Sequence, residues 1–345
     1  NGLNFQKPYD ATYQDEMYKM IFSQLLERIA RRPGFEWSGK DFELEAYSSS
    51  LKKYALFIIF FPQLIAGPIV RFNSMIDQFV SENNSFLNFK NIIIGLVVLS
   101  IGIIKKVFIA DNLSIFADQV FSLNDNLSFF ETWVGTLCFT FQIYFDFSGY
   151  IDMATGIALL FNIILPLNFN SPYKATGIID FWQRWHITLT SFLTSYIFTP
   201  LMRSFKNLSF FKSMLATLIV FLIAGLWHGP SWLFVIFGAL HGIGLIINHI
   251  YRRYIKFSLG YLTSRFLTFV YINFTFVFFR SESLDNAFFI LKKMIGFDLI
   301  KNIDLFKLDI DLNSLLAFIA SLLICFFLKN TNWLISRLKL SKILD

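Results

Sequence analysis

The stretch from Trp133 to Leu165 is longer than a bilayer crossing requires, yet it carries only two charged side chains, Asp146 and Asp152. A transmembrane helix takes about 20 predominantly apolar residues. In hydrocarbon each backbone N–H and C=O needs a partner within the protein, which a helix supplies from its own segment. Composition extends this reading to the whole chain. It is 55% hydrophobic and 16% charged, with a mean hydropathy of +0.55, whereas a soluble domain carries about a quarter charged residues. Seven Trp and 13 Tyr can anchor such a protein at the two headgroup belts. The expected fold class is therefore all-α integral membrane, with many spans and lipid in contact with its surface.

The formal charge of +6 does not point to nucleic acid, because the basic residues gather between apolar runs, as at Arg252, Arg253 and Lys256. They read as cytoplasmic loop charge, as do Arg203 and Lys206. Cys138 and Cys325 both fall in apolar runs and read as small buried hydrophobes, without a disulfide framework or a zinc site.

Residues 1–50 form a polar or interfacial lead, with an amphipathic helix expected at Glu16–Arg32 and a breaker at Pro33-Gly34. The chain opens "NGLNFQKPYD" without Met, so earlier spans of the gene product are expected. Residues 51–345 form the membrane domain. Its first apolar run, Tyr54–Val70, is interrupted by Pro62, Gly67 and Pro68 and reads as either a broken element or a crossing. Ile92–Ala110 reads as a span whose Lys105 and Lys106 snorkel near its end. Trp133–Leu165 reads as a full span and a partial one, divided by Asp146, Ser148 and Asp152; intramembrane acids mark a candidate site. Met214–Ile250 holds two apolar blocks broken near Pro230, either two joined spans or one span and a re-entrant segment. Blocks at Leu262–Phe279 and Leu315–Leu328 bring the expected number of membrane-associated helices to seven to nine.

Three of the four histidines, His186, His228 and His241, lie in or beside apolar segments. A poorly hydrated imidazole tends to stay neutral and can then take a proton from an alcohol, which suits acyl transfer to a hydroxyl. The duller role is a helix cap or a bond to a backbone carbonyl. His228 stands in "AGLWHGPSW", between glycines and flanked by Trp227 and Trp232, which can wall an acyl channel. Trp182 and His186 in "FWQRWHITLT" are spaced to share a helical face. His241 would stand about 20 Å from His228 on one continuous helix, too far to share a reacting atom unless the chain bends. There is no G-x-S-x-G elbow, no H-x-x-x-H or H-E-x-x-H metal spacing, no P-loop and no Rossmann glycine pattern, so no bound metal or nucleotide cofactor is expected.

Four ordered segments resemble the membrane-bound O-acyltransferase family, nearest its alginate O-acetyltransferase-like branch. They are "FFPQLIAGPIVRF" (60–72), "FQIYFDFSGYIDMATGIALLFNIILPLNFNSPYKATGIIDFWQRWHITLTSFL" (141–193), "GLWHGPSWLFVIFGALHG" (225–242) and "FTFVFFRSESLDNAF" (274–288). The resemblance implies a multi-span helical fold with broken or re-entrant helices around a central tunnel. It implies acetyl-CoA as a cytoplasmic acyl donor and an acceptor on the other side of a bacterial inner membrane. His228 of "LWHG" matches the family's catalytic histidine, and His186 of "RWH" matches its second. By the same resemblance Trp182, Arg184 and Trp185 shape the site, and Asp146 and Asp152 hold inner helices together. The expected activity is acetyl transfer toward hydroxyls of an exported polysaccharide or envelope glycan, directly or through an extracytoplasmic SGNH-type acetyltransferase.

The chain departs from the alginate-like pattern after "RWH". The usual arginine-aspartate pair and "YIPLGG" turn are replaced by Leu193-Thr194-Ser195 and "YIFTPLMRSF" (196–205), so the basic loop differs and the resemblance does not carry the acceptor or a partner surface over to this chain. D-alanyl transfer to teichoic acid from a carrier-protein thioester is the second enzymatic expectation, and a transporter or scaffold of the same fold is the non-enzymatic one.

Overall fold

The computed structural model describes residues 51–340 apart from 65, 82–83, 85, 123–126, 256, 258 and 297–310. The polar lead, with its amphipathic helix at Glu16–Arg32, lies outside the described residues. Among those described the chain is helical and no strand occurs. Phe89–Ser122, Phe210–His228, Trp232–Tyr254 and Tyr261–Arg280 are long and apolar enough to cross a membrane. A fifth crossing is made if Leu312–Phe326 and Thr331–Leu338, bent by 61° at their junction, act as one.

The first apolar run is broken where its prolines suggest. Helix α1 (Leu51–Ile59) gives way to a 3-10 turn at Phe61–Gln63 and irregular chain before α2 (Phe72–Phe79). Helix α3 (Phe89–Ile103) continues through a π-helical segment, Ile104–Ala110, into α4 (Asp111–Ser122). This corrects the expectation that Lys105 and Lys106 snorkel at a span end. Lys105 turns inward, with Nζ 2.6 Å from Asp152 Oδ2, and its side chain is 12% exposed. Lys106 Nζ meets Asp146 Oδ1 at 2.6 Å and Asp111 Oδ1 at 2.9 Å.

Those pairings account for a second correction. Helix α5 runs unbroken over Phe129–Leu160, 32 residues and about 48 Å, through the acids that were expected to divide it. Each acid meets a lysine from the π-helical segment, so its charge is compensated without unwinding the helix. A capping box between Ser128 and Glu131 fixes where α5 starts. Helices α3 and α5 approach closely at glycines: a methyl group on Gly102 would stand 2.6 Å from the Gly149 carbonyl oxygen.

Two short helices, α6 (Ile178–Trp182) and α7 (Ile187–Leu193), follow. A π-helical turn at Thr194–Phe198 leads into α8 (Thr199–Ser204). Helices α9 (Phe210–His228) and α10 (Trp232–Tyr254) form a hairpin closed at Gly229–Ser231, so the two apolar blocks are joined helices. Their contact depends on small residues, because a methyl on Gly238 would stand 2.2 Å from the Phe221 carbonyl oxygen. At the open end the rings of Phe210 and Tyr254 lie 6.0 Å apart, and the Arg253 guanidinium covers Phe210 at 4.5 Å. The basic residues at that end are therefore separated from His228 by the length of α9, about 28 Å.

Helices α11 (Tyr261–Arg280), α12 (Leu284–Ile295), α13 (Leu312–Phe326) and α14 (Thr331–Leu340) complete the described chain. Phe116, Phe141, Phe145, Phe181 and Phe276 are among the largest fully buried side chains, giving the core an aromatic character. A polar chain crosses it: Thr140 Oγ1 donates to Asn273 Oδ1 at 2.6 Å, and Asn273 Nδ2 donates to Thr136 Oγ1 at 3.2 Å. Cys138 and Cys325 are free and buried.

Candidate active site

His186 and Trp182 do not share a helical face, contrary to their spacing. Helix α6 stops at Trp182, and His186 precedes α7 with φ 44° and ψ 54°, in the left-handed region. That conformation is uncommon outside glycine, although histidine is among the residues that adopt it most readily. It is held by Asn168, which is fully buried. The Asn168 carbonyl accepts from Ile187 N–H at 2.9 Å, and the Asn170 N–H donates to Arg184 O at 2.9 Å. Asn168 Oδ1 accepts from Thr188 N–H at 3.2 Å and from Thr188 Oγ1 at 2.9 Å, and it lies 3.1 Å from His186 Nδ1. Thr188 Oγ1 also accepts from Ile69 N–H at 3.1 Å, which ties the broken first apolar run to the site.

His228 is the last residue of α9, partly exposed and enclosed by rings. Ring centroids of Trp227, Phe279, Phe237 and Phe234 lie 4.9, 5.1, 5.9 and 6.2 Å from its imidazole. Among the described residues neither of its ring nitrogens makes a hydrogen bond. Among the described residues the imidazole is held by packing against these rings.

A cavity of about 320 Å³ brings these elements together. His186, His228, Trp182 and Trp185 line it, with Phe237, Phe276 and Phe279 as apolar wall and the Lys106–Asp146 pair as its charged edge. Two further cavities, of about 150 and 470 Å³, lie around Lys105, Tyr144 and Thr331. The larger of them contains no histidine, so chemistry rather than size locates the candidate site. A cavity with two imidazoles, aromatic walls and one ion pair can hold an apolar acyl group beside a hydroxyl and take the hydroxyl proton.

The other sequence candidates stand outside the cavity lining. Arg184 braces the loop, with Nε 2.6 Å from Asp180 Oδ1 and Nη1 3.3 Å from Asn170 O. Trp227 packs beside His228, whereas Trp232 is 73% exposed at the start of α10. Asp152 belongs to the Lys105–Thr331 group, with Thr331 Oγ1 at 2.7 Å. His241 stands behind the cavity wall: its Nδ1 accepts from Trp182 Nε1–H at 3.2 Å and its ring packs 4.5 Å from that of Phe237. The sequence reading missed Asn168 and the lysine partners. Their signals were present, an Asn-rich "LNFNSPY" before the histidine loop and two lysines inside one apolar run that a neighbouring run could match with two acids.

A sequence model of the membrane-bound O-acyltransferase family matches residues 11–284. A peptidoglycan O-acetyltransferase of Helicobacter pylori is 50% identical over 247 residues, covering 70% of this chain and 46% of that protein. A probable alginate O-acetylase of Azotobacter vinelandii is 38% identical over 252 residues, covering 72% and 48%. A teichoic acid D-alanyltransferase of Streptococcus thermophilus is 28% identical over 218 residues, covering 59% and 51%. The chain thus spans about half the length of the curated relatives it matches. By the extent of the family match, this chain belongs to the membrane-bound O-acyltransferase family.

Proposed function

We propose that the protein containing this chain moves an acetyl group from acetyl-CoA toward hydroxyls of an exported envelope polysaccharide, with His228 as the proton acceptor. The observation that carries this reading is the His228 imidazole, which faces the cavity with both nitrogens unengaged among the described residues. In the reaction His228 takes the acceptor hydroxyl proton as the oxygen attacks the thioester carbonyl. The C–O bond forms, the C–S bond breaks, and the proton passes to the departing thiolate of CoA. His186 supplies a second polar contact across the cavity, and the aromatic walls exclude water that would hydrolyse the thioester.

The placement of charge supports an acceptor outside the cell. Arg252 and Arg253 lie at the end of the α9–α10 hairpin remote from His228, and the inside-positive bias supports reading that end as the cytoplasmic one in the proposed bacterial inner membrane. His228 then faces the side where an exported glycan, or an SGNH-type acetyltransferase relaying the group, is found. The identities favour acetyl over D-alanyl transfer, since the named O-acetyltransferase relatives stand at 50% and 38% and the D-alanyltransferase at 28%. A carrier or scaffold leaves two imidazoles facing one cavity without a task.

The test is ester-linked acetate on isolated envelope glycans, measured by NMR in a gene-deletion strain complemented with the full-length gene. Acetate lost on deletion and restored by the wild type is the expected result. Unchanged acetate in a deletion strain that lacks any second homologue contradicts the proposal, and D-alanyl ester lost instead transfers support to the second reading.

A further inference from the structure

The placement of Asn168 Oδ1 beside the Thr188 amide bears on where His186 carries its proton, while Asn168 Nδ2 is buried without a partner among the described residues. A backbone N–H can only donate, so the Asn168 atom facing the Thr188 amide at 3.2 Å is the side-chain oxygen and not the nitrogen. That oxygen bears no proton and stands 3.1 Å from His186 Nδ1, so the bond between them requires the proton on Nδ1. In a neutral imidazole the other nitrogen, Nε2, then carries a lone pair. Thr188 Oγ1 agrees with this assignment, since it accepts from Ile69 N–H and spends its own proton on the same Asn168 oxygen.

We propose that Asn168 is a positioning residue that locks His186 in the Nδ1–H tautomer, so that His186 meets substrate through Nε2 as a hydrogen-bond acceptor. His186 lines the cavity and is otherwise buried. With its donor atom engaged by Asn168, His186 cannot donate to a developing oxyanion and is assigned to a substrate hydroxyl or N–H. His228 differs, because nothing among the described residues fixes its tautomer. A base oriented by a third group is a recurring arrangement in acyl transfer, and here the orienting group is a neutral amide. The assignment of substrate groups rests on the acyl-transfer reading; the tautomer does not.

Asn168→Asp provides a directional test. A carboxylate can still accept from Thr188, so the loop keeps its ties, while its charge beside Nδ1–H favours the imidazolium. The His186 pKa then rises, and the Nε2 lone pair is lost at a higher pH on acidification. The acidic limb of the pH–rate profile should move upward by about 1 unit or more. His228, Lys106, Asp146 and Tyr150 also line this cavity, so the shift must be traced to His186. It should vanish when Asn168→Asp is combined with His186→Asn, because asparagine tolerates the left-handed backbone and does not titrate.

The experiment pairs these profiles with nitrogen-15 NMR of histidine-labelled full-length protein at neutral pH, the His186 signals being those absent from His186→Asn. The expected result is a protonated Nδ1 and a bare Nε2 at His186, with a raised acidic limb in a normally abundant Asn168→Asp variant. A bare Nδ1, an averaged tautomer, or an unmoved or His186-independent acidic limb overturns the proposal. Absence of acyl transfer by the wild type refutes the functional reading instead, and the NMR signature still decides the tautomer.

Discussion

Lys105 Nζ and Asp152 Oδ2 meet at 2.6 Å between the π-helical segment and α5, with their side chains only 12% and 13% exposed. Thr331 Oγ1 completes the group, donating to Asp152 Oδ2 at 2.7 Å and accepting from Lys105 at 3.1 Å, so that α14 is joined to both. Removing one partner leaves the other charge in a poorly hydrated place. Asp152→Ala should therefore destabilise the full-length protein by about 3–5 kcal/mol, read as a lower Tm in detergent. Lys105→Met combined with Asp152→Leu should recover most of the loss, because a buried ion pair is largely replaceable by apolar packing.

Asp146 should behave differently although it lies on the same helix. Its side chain is 49% exposed, and Lys106 has a second acid, Asp111, at 2.9 Å. Asp146→Asn should change stability by no more than about 1 kcal/mol. A Tm loss as large as that of Asp152→Ala would show that the Lys106 pair holds the helices together.

The α9–α10 contact permits a glycine test with an internal control. A methyl at Gly238 would meet the Phe221 backbone oxygen at 2.2 Å, whereas one at Gly260 would meet nothing within 4 Å. Gly238→Ala should destabilise by about 1–3 kcal/mol and lower transfer activity by displacing the hairpin that carries His228. Gly260→Ala should be neutral to within about 0.5 kcal/mol. Equal Tm values for the two variants would contradict the close packing.

His241 supports the cavity wall from behind, and its Nδ1 is the only acceptor the Trp182 indole N–H has among the described residues. Trp182→Phe should destabilise by about 1–3 kcal/mol, because it leaves the buried His241 ring, whose Nε2 has no partner among the described residues, without its remaining hydrogen bond as well. Thermal unfolding of the full-length variant measures this, and an unchanged Tm would remove the bond from the description of the site.

Much of this arrangement was legible in the sequence, and the failures share a physical origin. Apolar length identified α3, α9, α10 and α11, and the glycines around His228 indicated the break that closes the hairpin. The pattern failed where a distant partner overrode a local signal. Asp146 and Asp152 read as a break in α5 because their lysines come from another helix. Trp182 and His186 read as one helical face because nothing local announces the left-handed turn that Asn168 stabilises across the loop. Cavity membership likewise depends on tertiary folding: Trp185 and His186 line it, while Arg184 between the same helices turns to Asp180.

The most direct measurement is acetyl transfer from radiolabelled acetyl-CoA in proteoliposomes of full-length protein, with envelope glycan from the deletion strain as acceptor. Wild type is compared with His228→Ala of matching Tm. The expected result is label on the glycan with the wild type and a loss of at least about 100-fold with His228→Ala, the scale of a positioned general base. Transfer by His228→Ala at the wild-type rate would contradict the assignment of His228 as the proton acceptor.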